Sequence, residues 1–386
     1  MRDVSQAPAE RAQIVRPRLP NLGTFGPIWV ATAALFALSP LLASGSLSNT
    51  AIESALLPFA GILAIAAIGQ TLVIQQGGLD LSVPGTLSLG VVLAVTIPEG
   101  RDGDLWLALA VVLAVGLAAG LVNGLFVTRL GVTPLVATLG MNAVLLGVML
   151  EVSGGSIAYR ATSNLNDFAN SEVFGISTLA VLAAGIVLAT GVLMRRTIWG
   201  RRFELVGASP LAARAAGISV ERYQLASYVA AGACYAVAGA LLAGKLGSPQ
   251  LFAGNDYLLP TIAAVVLGGT ALGGGRGSVV ATAGGVLFFS QLEQIVQIRS
   301  DELADEYLVQ GAIVALAMGI RGIPWRRVLA RNRVGSLVEA GPTTKASVAP
   351  VGGDSSPGEV PGAANGAPRR STTRTPEEEE KVDVNP

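Results

Sequence analysis

The chain has 386 residues, of which 51% are hydrophobic and only 13% are charged, against about 25% charged residues in an average soluble domain. Its net charge of zero gives no electrostatic reason to expect a nucleic-acid partner, and the lack of histidine excludes histidine-based catalysis and metal sites. Glycine is abundant, at 48 residues. This composition is typical of an all-α, polytopic membrane protein packed through small residues, for which we expect neither cofactor nor metal.

The N-terminal residues 1–22 carry four arginines and lack the layout of a cleaved signal peptide, so we expect a cytoplasmic arm there. Between 23 and 325 the sequence predicts a transmembrane domain of about ten helices, because a crossing needs about 20 apolar residues. The third and eighth runs are short and interrupted by glycine, which predicts one or two broken helices. The runs lie near 27–43, 54–75, 82–98, 105–128, 133–152, 173–194, 223–245, 257–272, 278–297 and 304–320.

Positive charge is unevenly distributed between the loops that join these runs. With both termini in the cytoplasm, the inner segments hold most arginines, including all six between Arg195 and Arg222. The outer loops then hold acidic stretches such as "EGRDGD" at 99–104. The positive-inside rule therefore favours a cell-membrane protein, surrounded by lipid, with both termini inside.

The last segment, 335–386, is rich in Pro, Gly, Ser and Thr and ends with acidic residues. Such a composition buries too little apolar surface to offset the entropy of ordering, so we expect a disordered cytoplasmic tail.

Polar residues within the apolar runs need a reason, because a charge at the centre of a membrane helix costs about 2.5–3.5 kcal/mol on insertion scales. Asp80 and Ser82 follow a glycine pair and are expected either to cap a broken helix or to line a transport pathway. The other candidates are expected either to form interhelical hydrogen bonds or to contact a solute. Among them, Thr138 and Asn142 are four residues apart and are expected to share a helix face. The candidate pathway residues are Asp80, Ser82, Asn123, Thr138, Asn142, Gln291 and Glu293.

The basic segment 195–222 predicts a short capped helix. Ser209 is placed to cap it, Pro210 suits its first position, and Gly217 suits a left-handed end. About two helical turns are too few to be stable alone, so a neighbour must hold them. We expect either a membrane-surface anchor or a helix that docks in a groove of a cytoplasmic partner, where small side chains such as Ala213 would fit.

Four stretches resemble ribose-type ABC importer permeases, in the order expected for that family. They are "GGLDLSVPGTLSLG" (77–90), "VTPLVATLGMNAVLLGV" (132–148), "GRRFELVGASPLAARAAGIS" (200–219) and "YLLPTIAAVVLGGTALGGGRGSVVATAGG" (257–285). The resemblance implies a permease subunit whose 195–222 loop couples to an ATPase. The residues that it assigns to this coupling are Gly200, Arg201, Ser209, Pro210, Ala212, Ala213, Arg214 and Gly217.

The resemblance also implies the partners and the activity. Two permease copies form the pathway, a cytoplasmic ABC ATPase subunit supplies energy, and an extracytoplasmic sugar-binding protein delivers a ribose-, xylose- or galactose-like monosaccharide. The chain itself lacks the G-x-x-x-x-G-K-[ST] phosphate loop, so it is expected to be a transporter subunit rather than an enzyme. The alternatives are an ABC permease for nucleosides or branched-chain amino acids, a secondary transporter and a channel.

Overall fold

The computed structural model describes residues 22–300 and 303–322. The predicted arm, apart from residue 22, and the predicted tail at 335–386 lie outside this part of the chain. The described residues form thirteen α-helices: α1 Leu22–Leu42, α2 Leu57–Gln75, α3 Val83–Thr96, α4 Leu105–Thr128, α5 Pro134–Ser153, α6 Ser163–Asn170, α7 Thr178–Arg196, α8 Ile198–Ala208, α9 Pro210–Ala215, α10 Val220–Leu246, α11 Leu258–Leu267, α12 Val279–Arg299 and α13 Leu303–Gly322.

Each of the ten predicted apolar runs contains a helix. In the described residues, six helical segments are long and apolar enough to cross a membrane: Ala51–Gln75, Asp102–Thr128, Pro134–Ser153, Thr178–Arg196, Val220–Leu246 and Val279–Arg299. The helices α3 and α11 have 14 and 10 residues, so they are the expected short elements. At about 1.5 Å per residue they extend roughly 21 and 15 Å, less than the roughly 30 Å of a bilayer core. A count of ten full crossings stays a prediction.

The predicted start of the sixth apolar run, at residue 173, was wrong, because residues 172–177 form a hairpin rather than the beginning of a helix. Strand β1 Glu172–Val173 pairs antiparallel with β2 Ile176–Ser177. The two turn residues, Phe174 and Gly175, have φ values of 54° and 74°. Two successive residues with positive φ suit a two-residue hairpin and prevent a helix, which therefore starts only at α7.

The core is built around α2, whose residues from Ala60 to Gln75 are all buried. Because α2 is apolar on every side, it is surrounded by α7, α10, α11 and α12. The helices α4 and α10 pack closely: a Cβ added to Gly232 would lie only 2.1 Å from the main-chain oxygen of Gly116. Small residues therefore permit the dense packing that the composition predicts.

The helices connect two opposite ends of the bundle. At one end, Arg195 of α7 donates a hydrogen bond to the hydroxyl of Ser278, the residue before α12, over 3.2 Å. We call this end, which also contains α8 and α9, the basic end. At the opposite end, Asn166 of α6 donates to the Gly244 main-chain oxygen over 2.9 Å, near the end of α10. The helix α2 runs towards the basic end, whereas α10 and α12 run away from it.

Candidate functional site

The helix α9 has the caps that its sequence predicts. The Ser209 hydroxyl accepts a hydrogen bond from the Ala212 N–H over 3.3 Å, and Pro210 occupies the first position. At the other end Gly217 has φ 74° and the Ile218 N–H donates to the Ala213 main-chain oxygen over 2.9 Å. These bonds form a Schellman motif, which explains why glycine stands at this position.

The two faces of α9 differ. Ala213 is fully buried and packs with Val206 and Val220. By contrast, Leu211 is 78% exposed although it is a large apolar residue. The expectation that the Ala213 side chain faces a partner is therefore wrong, because it faces the helical bundle itself. Leu211 is the apolar side chain that α9 presents outward.

The segment before α9 contains a helix that the sequence interpretation missed. The helix α8 is capped by Thr197, whose hydroxyl accepts from the Gly200 N–H over 3.1 Å. The rings of Trp199 and Phe203 stack at 5.1 Å, and Trp199 also contacts Tyr223 at 5.7 Å. The spacing of Trp199, Phe203 and Val206 is the helical signal that was available in the sequence.

The helix α8 contacts the end of α2 directly. The Gln76 side-chain amide donates to the main-chain oxygen of Phe203 over 2.9 Å. The main-chain oxygen of Gln75 accepts from the Gly275 N–H over 2.8 Å, and a Cβ on Gly207 would lie only 2.0 Å from that oxygen. Three segments that are distant in sequence therefore meet at Gln75 and Gln76.

The polar cluster follows immediately after this contact, where the chain is not helical between α2 and α3. Asp80 is buried, and one oxygen of its carboxylate accepts from the Ser82 N–H over 2.9 Å and from the Ser82 hydroxyl over 2.6 Å. Asn123 of α4 donates to the Ser82 hydroxyl over 3.0 Å. Ser82 occupies the N-cap position of α3, but its hydroxyl makes no cap bond and instead bonds to Asp80 and Asn123.

The helix α5 satisfies main-chain donors at the start of α3. The Thr138 hydroxyl accepts from the Leu81 N–H over 3.0 Å, and the Asn142 carbonyl oxygen accepts from the Gly85 N–H over 2.7 Å. The first N–H groups of a helix have no partner within it, so α5 supplies the cap from outside. The predicted shared face of Thr138 and Asn142 is used for this purpose.

Gln291 and Glu293 lie on α12, away from the other five candidates. Gln291 is fully buried, and neither atom of its amide has a hydrogen-bond partner among the described residues. The Glu293 carboxylate accepts from the Gln310 side chain over 2.9 Å and lines a cavity of about 500 Å³. This cavity lies towards the end opposite the basic end, between α2, α10, α11, α12 and residues 248–257.

The comparisons with known proteins agree on the class of protein. A family profile described as "Branched-chain amino acid transport system / permease component" matches residues 53–318. The chain belongs to this permease family.

Curated relatives extend over most of the permease. The chain is 37% identical to the ribose import permease protein of Bacillus subtilis (strain 168) over 257 residues, which is 65% of this chain and 79% of the relative. It is 30% identical to the autoinducer 2 import system permease protein of Enterobacter sp. (strain 638) over 315 residues, or 79% and 96% of the two chains. No solved structure matches.

The predicted resemblance to importer permeases is thus confirmed, and so are the all-α membrane fold and the assignment as a transporter subunit rather than an enzyme. Within the permease, the seven predicted pathway residues form two groups rather than one. Of the eight predicted coupling residues, Gly200 and Ala213 are buried, Ser209 is partly buried, and the other five are exposed. Their roles in transport and coupling stay predictions.

Proposed function

We propose that the permease forms the membrane pathway by which a monosaccharide of the ribose, xylose or galactose kind enters the cytoplasm, driven by a separate ATPase subunit. The observation that carries this proposal is the direct contact between α8 and the broken end of α2, next to a short helix with an exposed Leu211. Direct contacts therefore connect α8 and α9 to the polar segment 76–82, and we propose that movement of these helices is passed along them.

The ATPase is proposed to dock on the outer face of α9. Leu211 supplies an apolar anchor, and Arg214 beside it forms an exposed ion pair with Glu221 at 3.0 Å. A groove of about 370 Å³ lies next to α9 and contains Arg202 and Arg222 among its lining residues. An apolar anchor surrounded by charge suits a protein partner better than a lipid surface alone.

The remaining partners follow from the same proposal. The basic end faces the cytoplasm in a plasma or inner membrane, so both termini lie inside and the cavity at the other end faces an extracytoplasmic sugar-binding protein. A second copy of the permease completes the pathway. The apolar outer surfaces of α4, α5 and α7, such as Leu188 at 66% exposed, contact membrane lipid.

Sugar is favoured over other cargo because a relative named for ribose import shares 37% of residues over 257 positions. The test is uptake by cells that lack the gene for this chain, with and without a plasmid copy. We expect the copy to restore uptake of radiolabelled ribose, xylose or galactose, and not of leucine or adenosine. Restored uptake of leucine or adenosine alone would replace the sugar proposal with one of its alternatives.

A further inference from the structure

The cavity next to Glu293 combines apolar walls with a polar face contributed by α12. Four polar side chains of α12 face it at helical spacing, namely Ser290, Glu293, Gln294 and Gln297. Positions separated by three and four residues share one face of a helix. Polar side chains within a membrane helix usually face a water-filled space and mark a solute route.

A strained aromatic residue also lines the cavity. Phe252 has φ 62°, a conformation that is costly for a bulky non-glycine residue. The loop is held in place from α3, where the Ser88 hydroxyl accepts from the Gly254 N–H over 2.9 Å. Strain that the surrounding structure maintains is typical of ligand sites, because it fixes a side chain before the ligand arrives.

The charges of the cavity select the class of ligand. Among the described residues that line it, Asp256 and Glu293 are acidic and none is basic. Carboxylates accept hydrogen bonds from hydroxyl groups and repel anions. The Gln297 amide can both donate and accept, whereas the Gln294 amide N–H already donates to the Ala51 main-chain oxygen over 2.8 Å. Its volume of about 500 Å³ lies within the usual range for small-molecule pockets, about 300–1,000 Å³.

We propose that this cavity is a transient site for a neutral polyhydroxylated solute, with the Phe252 ring against its C–H face and the Glu293 carboxylate accepting from its hydroxyl groups. The carboxylates of Asp256 and Glu293 repel the phosphate of a phosphorylated sugar and the carboxylate of an amino acid, so neither class of solute is accepted. This inference rests on the proposed import function and specifies its substrate class. Only weak binding is expected, because a transport site must release its solute.

The test measures occupation of the cavity without relying on transport. In the assembled complex carrying Cys234→Ala, the variant Gln297→Cys places one thiol at the cavity, and the rate of its reaction with a small neutral maleimide is followed. We expect ribose, xylose or galactose in large excess to slow this reaction, whereas ribose 5-phosphate and leucine leave it unchanged. The matched control is Phe174→Cys, because Phe174 is fully exposed on the hairpin turn. Its labelling rate should be the same with and without each of these solutes.

Two further variants identify the groups that bind. Adding Glu293→Gln or Phe252→Ala should raise the sugar concentration that halves the labelling rate by roughly tenfold, as expected for losing one charged hydrogen bond or an aromatic contact. Glu172→Gln and Phe174→Ala are the controls, since Glu172 and Phe174 are exposed and away from the cavity, and Phe174 also has positive φ.

Absence of protection by all three sugars, or unchanged half-protecting concentrations in both variants, would overturn the cavity assignment. Uptake by the same complex is measured in parallel. Sugar uptake without protection leaves the proposed function standing and removes only this site, whereas loss of all sugar uptake would count against the proposed function instead.

Discussion

The side-chain amide of Gln76 donates to the main-chain oxygen of Phe203 over 2.9 Å, which joins the broken end of α2 to α8. From there contacts continue through the Asp80 and Ser82 cluster to α3, and from Ser88 to Gly254 beside the cavity. A continuous chain of packed contacts therefore connects the two ends of the bundle. Such a chain can transmit a movement, but only a measured coupling establishes that it does.

Gly207→Ala tests the contact between α8 and α2. Its Cβ would lie 2.0 Å from the Gln75 main-chain oxygen, so α8 must shift. We expect the sugar transported per ATP hydrolysed to fall by roughly fivefold or more, within the range of measured coupling energies. Gln76→Leu should act in the same direction because it removes the donor.

The matched control is Gly185→Ala on α7, where an added Cβ would meet nothing within 4 Å. Membrane abundance and ATPase association are measured in all three variants. An unchanged transport-to-ATP ratio in both Gly207→Ala and Gln76→Leu would show that this contact does not carry coupling.

Two variants of α9 separate docking from folding. Leu211→Asp changes a side chain that is 78% exposed, so it should weaken binding of the ATPase and leave the thermal midpoint of the purified permease unchanged. Ala213→Trp should lower that midpoint, because overpacking a buried site costs about 1–3 kcal/mol. Full ATPase binding by Leu211→Asp would remove Leu211 from the docking surface.

The sequence predicted much of α9 but not its packing. Ser209, Pro210 and Gly217 carry local signals, since capping depends on neighbouring residues. Which face of α9 is buried depends on Val206 and Val220, and a six-residue helix is too short for an apolar stripe to reveal this. The caps were therefore confirmed, whereas the outward orientation of Ala213 was wrong.

The same distinction applies to the candidate pathway. The glycines before Asp80 correctly predicted a break, and the spacing of Thr138 and Asn142 correctly predicted a shared face. Nothing local indicated that Asn142 would cap α3, because the two residues that bond are 57 positions apart. The cavity was missed for this reason too, since segments from Ala55 to Gln297 form its walls.

Asn142→Leu tests whether the polar cluster holds the break in place. It would leave the Gly85 N–H without its acceptor, at a cost of about 1–3 kcal/mol. In a domain of this size each kcal/mol corresponds to roughly 2–4 °C, so the thermal midpoint in detergent should fall by several degrees.

Thr138→Val should lower the midpoint for the same reason, since the Leu81 N–H loses its acceptor. Ser153→Ala is the control, because its hydroxyl bond to the Leu150 main-chain oxygen is exposed. Midpoints equal to that of Ser153→Ala would contradict a capping role for α5.

Orientation is testable with single thiols in the Cys234→Ala background. An impermeant maleimide added to intact cells should label Phe174→Cys, whose residue is fully exposed on the hairpin. In cells that express the permease without its ATPase, Leu211→Cys on α9 should react only after the membrane is permeabilised. The reverse pattern would place the basic end outside and contradict the positive-inside prediction.

Dependence on a separate ATPase is tested most directly by sugar uptake into proteoliposomes that contain the purified permease, with and without its ATPase subunit, in the presence of the binding protein and ATP. We expect accumulation of ribose, xylose or galactose only when the ATPase is present, because the chain has no phosphate loop of its own. Robust energised accumulation by the permease without any ATPase would contradict it.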